Sequence, residues 1–427
     1  MIDIKLIRES CDLVKDNIRK KGQDGKVELV DRVLELDLKW RKEKKRVDDL
    51  RAERNRISES INVLMKGGKK GEAKKLIVEA KAIPGKIVKI DVRAGKLAGE
   101  IKEIMLKIPN MMDASVPEGR GEEDNVELRK WGKIPKFGFD VRGHEDIVED
   151  LDLADTLRGS KVAGSRFYYL KGGLVLLNNA LQRFALDVLM KKGFTPVQTP
   201  YMLNRDAVGG AVSLEDFEEA IYKIDGEDLY LIGTSEHALA ALHKDEVIDV
   251  REPIKYAGLS SCFRKEAGSH GKDTKGIFRV HRFEKIEQFV YSRPEDADKI
   301  FDEIIANQEK IFKLLEIPYR VVALCAGDFG GSMAKTHDLE GWFPAQKKYR
   351  ELGSTSNAST YQARKMNTKY NSGGRMGFVY TLNGTAMTVQ RTMCCLLENY
   401  QQKDGSIKVP KVLVPYMGGR RKISPKK

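Results

Sequence analysis

Two long stretches in the first quarter of the chain carry apolar residues at steps of three and four. One runs Val33, Leu36, Trp40, Val47, Leu50, Ile57, Ile61, Leu64, with Glu43 and Arg54 filling its two gaps. The other runs Leu76, Ala80, Ile83, Ile87, Ile90, Ala94, Leu97, Ile101, Ile104, Ile108. Steps of this kind draw one narrow stripe along a helix, the seam of a coiled coil. Between them lies Lys66-Gly67-Gly68-Lys69-Lys70-Gly71, whose glycines permit a reversal. Two helices of about 40 residues, folded back on each other, make an antiparallel hairpin arm roughly 60 Å long. Pro84-Gly85 interrupts the returning helix. Proline removes a hydrogen bond and crowds the preceding turn, so a kink, or a break into two segments, is expected there.

Charge divides along the same line. Residues 1–110 hold 29 Lys and Arg against 19 Asp and Glu, whereas the other 317 hold 47 against 44. A basic module is thus joined to a nearly neutral body. A polyanionic partner explains the split; a solvated helical face is the plain alternative. At the hairpin tip Lys66, Lys69, Lys70, Lys74 and Lys75 crowd against Glu72 alone. No run of about 18 apolar residues offers a membrane span. The opening Met1-Ile2-Asp3-Ile4-Lys5 is charged where an export signal needs apolar residues, so a cytoplasmic location is expected. Cys11, Cys262, Cys325, Cys394 and Cys395 show neither CxxC spacing nor a Cys–His cluster. Structural disulfides and zinc are therefore not expected.

Pro109 and the stretch Ala114–Gly119 end the arm, giving an expected division into residues 1–112 and 113–427. In the second part, helical periodicity over 173–191 leads into Gly193-Phe194-Thr195-Pro196-Val197-Gln198-Thr199-Pro200. Strand-like runs follow near 229–232, 277–291, 318–323 and 376–382, and a basic tail, Arg420-Arg421-Lys422 with Lys426-Lys427, closes the chain. The mixture predicts an α+β body, an antiparallel sheet with flanking helices.

Four segments of this body concentrate polar groups. Gly233-Thr234-Ser235-Glu236 closes a strand and opens a helix, where Thr or Ser is an ordinary cap. Phe263-Arg264-Lys265-Glu266-Ala267-Gly268 precedes a loop with Gly271, Asp273 and Gly276 and then a strand. Alternation on that strand puts Arg279, His281, Phe283, Lys285, Glu287 and Phe289 on one face. Such charges are costly in a plain core, and a site for a planar, anionic ligand accounts for them. In Tyr349-Arg350-Glu351-Leu352-Gly353-Ser354, a carboxylate and a hydroxyl three residues apart could hold Mg²⁺. The last segment, Thr381-Leu382-Asn383-Gly384-Thr385, leads into a helix with Arg391. Taken singly, each reads equally as a salt bridge, a turn or a cap.

Together the segments resemble the class II aminoacyl-tRNA synthetases. The stretch ending at Pro200 resembles motif 1, Phe263–Glu266 motif 2 and Asn383–Arg391 motif 3. The wording Thr-Ser-Glu at 234–236, Ala-Gly-Ser at 267–269 and Leu397-Glu398-Asn399 resembles the seryl-tRNA synthetases, in their archaeal and eukaryotic style. The likeness extends over nearly the whole chain, arm included. Two departures stand out: Ala386-Met387-Thr388 replaces the second motif 3 glycine of bacterial members, and Arg282 stands where glutamine is more usual.

What the resemblance implies is specific. ATP would meet Arg264, Lys265, Glu266, Arg279, Val280, Phe283, Glu351, Leu352, Gly353, Ser354 and Arg391. Of these, Arg264 and Arg391 are the catalytic candidates. Arg264 would grip the α-phosphate and the serine carboxylate, while Phe283 and Arg391 would sandwich adenine. Glu266 and the backbone near Val280 would read the base edge. Mg²⁺ would sit on Glu351 and Ser354. Serine would meet Thr234, Ser235, Glu236, Arg264, Glu287, Asn383 and Thr385. The lysine-rich arm tip would grip the long variable arm of tRNA-Ser, and tRNA-Sec with it, and motif 1 would build a homodimer. No zinc is implied. Carrier-protein ligases related to these enzymes lack such an arm, and an inert RNA-binding descendant would have eroded Arg264, Glu287, Glu351 or Arg391.

Overall fold

A computed structural model describes residues 1–212, 220–266, 273 and 275–424. Ala267, Gly268, Ser269, Gly271, Lys426 and Lys427, singled out above, lie outside the described residues. The chain divides into two compact units. One comprises Ile2–Arg19 and Gln23–Ile108; the other comprises Met1, Lys20–Gly22 and Pro109–Lys427.

In the first unit, short helices α1 (Ile4–Glu9) and α2 (Cys11–Lys20) precede two long ones, α3 (Val27–Lys66) and α4 (Lys70–Met105). The expected seam is the buried one. Val33, Leu36 and Val47 of α3 and Ile83, Ile87, Ile90, Ala94 and Ile101 of α4 are all withdrawn from solvent. Val47 packs with Ile83, Ile87 and Ile90, flanked by Leu50 and Ile57. The reversal turns at Gly68, whose φ of +76° falls in the left-handed region that glycine tolerates. Through Pro84 the helix stays unbroken, one element instead of two, with Ile83 and Ile87 buried on either side. Near the arm's start Asp37 is buried and pairs with Arg8 at 2.6 Å and Arg41 at 2.9 Å.

The second unit is built on one sheet of eight strands. In chain order they are β1 (Val126–Trp131), β2 (Thr195–Gln198), β3 (Ile254–Phe263) and β4 (Arg282–Ser292). Then come β5 (Tyr319–Ala323), β6 (Lys335–Phe343), β7 (Lys348–Asn357) and β8 (Tyr380–Thr388). They lie side by side as β1-β5-β6-β7-β8-β4-β3-β2. Only β2 against β3 is parallel, so the sheet is antiparallel in the main. Five helices matter for the site: α5 (Gly173–Met190), α6 (Ser235–Ala241), α7 (Ala297–Leu314), α8 (Tyr361–Met366) and α9 (Val389–Tyr400).

Leu177, Leu181 and Phe184 of α5, Ile304 and Phe312 of α7, and Met393 of α9 share the main core with Ile286 and Val290 of β4. The odd positions Phe289 and Tyr291 enter a second cluster with Leu239 of α6 and Ala363 of α8. Strand β4 is therefore buried on both faces, and the odd face carries charged groups at Lys285 and Glu287. All five cysteines are separate thiols, each buried except Cys11. Among the described residues no helix is long and apolar enough to cross a membrane.

Candidate active site

Four segments converge on one cavity above the middle of the sheet. Its wall includes Thr234, Glu236, Arg264, Glu266, Arg279, Val280, Phe283, Glu287, Glu351, Ser354, Asn383, Thr385 and Arg391. Strand β4 begins at Arg282, so Arg279 and Val280 reach the cavity from the preceding turn and not from the strand itself.

Bulges explain spacings that a regular strand forbids. Residues three apart on a strand point to opposite faces. Yet Glu351, Ser354 and Ser356 of β7 all reach the cavity, as do Asn383, Thr385 and Thr388 of β8. Against β6, Leu339 faces Gly353 while Glu340 faces Glu351, leaving Leu352 as an extra residue. Against β4, Thr385 faces Glu287 while Met387 faces Ile286, leaving Ala386 extra. Each bulge resets the alternation and re-aims the next side chain. Leu352 and Ala386 themselves are sealed in the core.

Charges in the cavity are compensated in pairs. Lys285 Nζ lies 2.5 Å from Glu287 Oε2, and both residues are buried. Thr385 Oγ1 donates to Glu287 at 3.2 Å. Glu236 Oε1 accepts from Gln362 at 2.8 Å and Asn383 at 3.2 Å. Burial first, then the charge of Glu287, raises the Glu236 carboxyl to about 7. Two buried carboxylates thus face one cavity, Glu287 beside its lysine and Glu236 poised between its two forms. His237 is driven down to about 3 by burial and by Arg264, so it stays neutral.

On the opposite side Arg391 Nη1 donates to Glu351 Oε2 at 2.7 Å, and this charge holds the Glu351 carboxyl below its ordinary range. Ser354 Oγ lies 3.4 Å from Glu351 Oε1. Asp338, the cross-strand neighbour of Ser354, keeps a buried carboxylate oxygen without a hydrogen-bond partner. An ionised carboxylate, a hydroxyl and an orphaned carboxylate oxygen form a hard, all-oxygen donor set that fits Mg²⁺.

Arg264 crosses the cavity with its guanidinium 5.4 Å from the Phe283 ring centre and its Nε donating to Gly233 O at 3.2 Å. Arg279 Nη1 pairs with Glu266 at 2.9 Å. Thr234 serves twice: its hydroxyl caps α6 by accepting from Glu236 N, and it lines the cavity.

Four expected contacts are not side-chain contacts here. Lys265 is exposed and off the wall. Leu352 is core, Gly353 packs against Gln308 and Thr385, and the Ser235 hydroxyl donates to Gly258 O beneath α6. Conversely, Phe278, Lys285 and Asp338 belong to the site and went unassigned. Phe278 stacks under Arg350 at 4.3 Å and Arg391 at 5.1 Å. Lys285 could have been taken from strand alternation, which already put it beside Phe283 and Glu287. Asp338 lies on another strand with no spacing to mark it.

Comparison with known proteins completes the picture. Residues 1–112 match the family of the seryl-tRNA synthetase N-terminal domain. Residues 219–400 match that of the tRNA synthetase class II core domain (G, H, P, S and T). The serine–tRNA ligase of Methanocella arvoryzae is 45% identical over 98% of this chain and 99% of its own. The crystal structure of seryl-tRNA synthetase from Pyrococcus horikoshii complexed with ATP superposes with a TM-score of 0.94 at 44% identity, covering both chains completely. The cytoplasmic serine–tRNA ligase of Naegleria fowleri in complex with AMP gives 0.89 at 37%, over 100% of this chain and 99% of that one. With its arm, its antiparallel sheet and its paired charges in place along the full length, the chain belongs to the seryl-tRNA synthetase family.

Proposed function

We propose that the chain activates L-serine with ATP and transfers it to the 3′ end of tRNA-Ser. The observation that carries the reading is a single cavity lined by both the buried carboxylates Glu236 and Glu287 and the arginines Arg264 and Arg391. The serine ammonium suits the carboxylates and the phosphates suit the arginines. A serine carboxylate oxygen attacks the α-phosphorus, the bond to the bridging oxygen breaks, and diphosphate leaves with its electrons. Arg264, a rigid and permanently charged fork, stabilises charge that grows on the phosphoryl oxygens. Phe283 and Arg391 hold adenine by stacking and cation–π contact. Glu266 and Val280 meet its edge, and Arg279 buttresses Glu266. Thr385 and Asn383 receive the serine hydroxyl; alanine would leave these groups unpaired, the stronger form of rejection. Glu351 and Ser354, with Asp338 beside them, would hold Mg²⁺, which supplies neutralising charge to the phosphates.

The ribose hydroxyl at the tRNA end then attacks the seryl carbonyl, and AMP departs. Lys66, Lys69, Lys70, Lys74 and Lys75, all exposed, supply the phosphate contacts of the arm tip. A reader of long variable arms takes tRNA-Sec on the same terms. The exposed edge strand β2 supports a homodimer built there, and the setting of tRNA charging is the cytoplasm.

Serine-dependent exchange of pyrophosphate into ATP tests the core of this reading. Arg264→Ala should lower it by about 10²–10³-fold or more. Exchange driven by another amino acid and not by serine would sink it.

A further inference from the structure

One wall of the cavity has no ladder of its own. Phe329–Met333 runs as turn and bend between β5 and β6, yet Gly330, Ser332 and Met333 line the cavity beside Thr234 and Glu236. Backbone without a ladder takes its position from whatever satisfies its carbonyls. Among the described residues, three successive carbonyls here accept from two, Asn110 and Lys21. Asn110 N donates to Gly331 O at 2.7 Å, and Asn110 Nδ2 donates to Ser332 O at 3.1 Å. Lys21 Nζ donates to Met333 O at 2.7 Å and lies 4.7 Å from the centre of the Phe329 ring. Both side chains are almost wholly buried, 5% and 3% exposed. Asn110 is itself fixed, since Nδ2 also reaches Ala358 O at 2.9 Å and Ser359 Oγ at 3.2 Å.

Burying an amine is expensive, and burial lowers the Lys21 ammonium to about 7. A lysine kept in such a place for packing alone could be replaced by an apolar side chain at a gain. What an apolar residue cannot supply is the donor to Met333 and the cation over Phe329. In sequence the two residues flank the arm, but both belong to the catalytic unit.

We infer that Lys21 and Asn110 are positioning residues that together fix the Phe329–Met333 wall and thereby the geometry of the substrate cavity. The inference rests on the serine–tRNA ligase reading, which wild-type exchange with serine tests separately. In the full-length protein, Lys21→Met and Asn110→Leu each remove donors at similar volume. Each should raise the KM for serine, ATP or both about five- to twentyfold in pyrophosphate exchange. The number of active sites, counted by the first-turnover burst of adenylate, should stay near that of wild type. The double variant should resemble the worse single one, because both act through one segment. Unchanged KM values with a lowered melting temperature would make the pair merely structural and overturn the inference, as would effects that multiply. Should Lys21→Met fail to fold, Asn110→Leu decides by the same criteria.

Discussion

Arg51 on the arm bridges Asp48 and Asp91 at 3.5 and 3.6 Å while keeping half of its side chain in water. In the catalytic unit Lys285 meets Glu287 at 2.5 Å with 8% of its side chain exposed. An exposed pair of the first kind is worth about 0–1 kcal/mol and fades with salt. Breaking a buried pair of the second kind costs about 3–5 kcal/mol, because a charge is left uncompensated. The arm's charges therefore act as a sum, readable by a polyanion at a distance. Those around the cavity act as individuals, each held in one place by particular partners.

That contrast can be broken by experiment. Excising about residues 30–105 should abolish tRNA charging while leaving serine-dependent exchange within about twofold, since the cavity's residues all lie elsewhere. If charging survived, the arm would not be the tRNA reader. Next in size is Lys285→Met, expected to cut kcat/KM for serine by about 10²–10³-fold through the stranded Glu287. A loss under tenfold would mean that the pair is no more than a surface one.

A pH profile comes third. In the role proposed for Glu236 only its ionised form attracts the serine ammonium, and its carboxyl is raised to about 7. Accordingly kcat/KM for serine should climb about tenfold from pH 6 to pH 8, a rise that Glu236→Gln removes. Stability runs the other way. The folded pKa lies above the unfolded value near 4.3, so this group's contribution is full below about pH 4 and is lost as pH rises through 7. Smallest are the tip lysines: Lys69→Ala or Lys74→Ala should each weaken charging a few-fold and shallow its salt dependence by about one unit of slope. No change in melting temperature is expected from either.

The same contrast governs how much of the molecule is legible in its sequence. The arm was legible because each seam residue meets only the facing helix, so its period is written locally. Even Pro84 did not erase it, because Ile83 and Ile87 keep the seam on both sides. In the body, β3, β6 and β7 went unnoticed. In β6 and β7, polar residues such as Asp338, Glu351 and Ser354 line the site and dilute the alternation by which strands are recognised. Arg264, Glu287, Glu351 and Arg391 were legible as chemistry. Phe278 and Asp338 were not, since what makes them site residues is a neighbour distant in sequence. The role of Asn110 likewise depends on carbonyls more than two hundred residues away.

The bulges at Leu352 and Ala386 carry a further lesson about reading strands. An extended chain has parity: even separations share a face and odd ones do not. Glu351 with Ser354, and Thr385 with Thr388, break that parity while serving one cavity. Two polar partners an odd number apart in an otherwise extended segment therefore signal an inserted residue, before its partner strand is known. It also follows that deleting Leu352 alone, without touching any polar group, would leave Glu351 and Ser354 two residues apart in a regular ladder and still on one face.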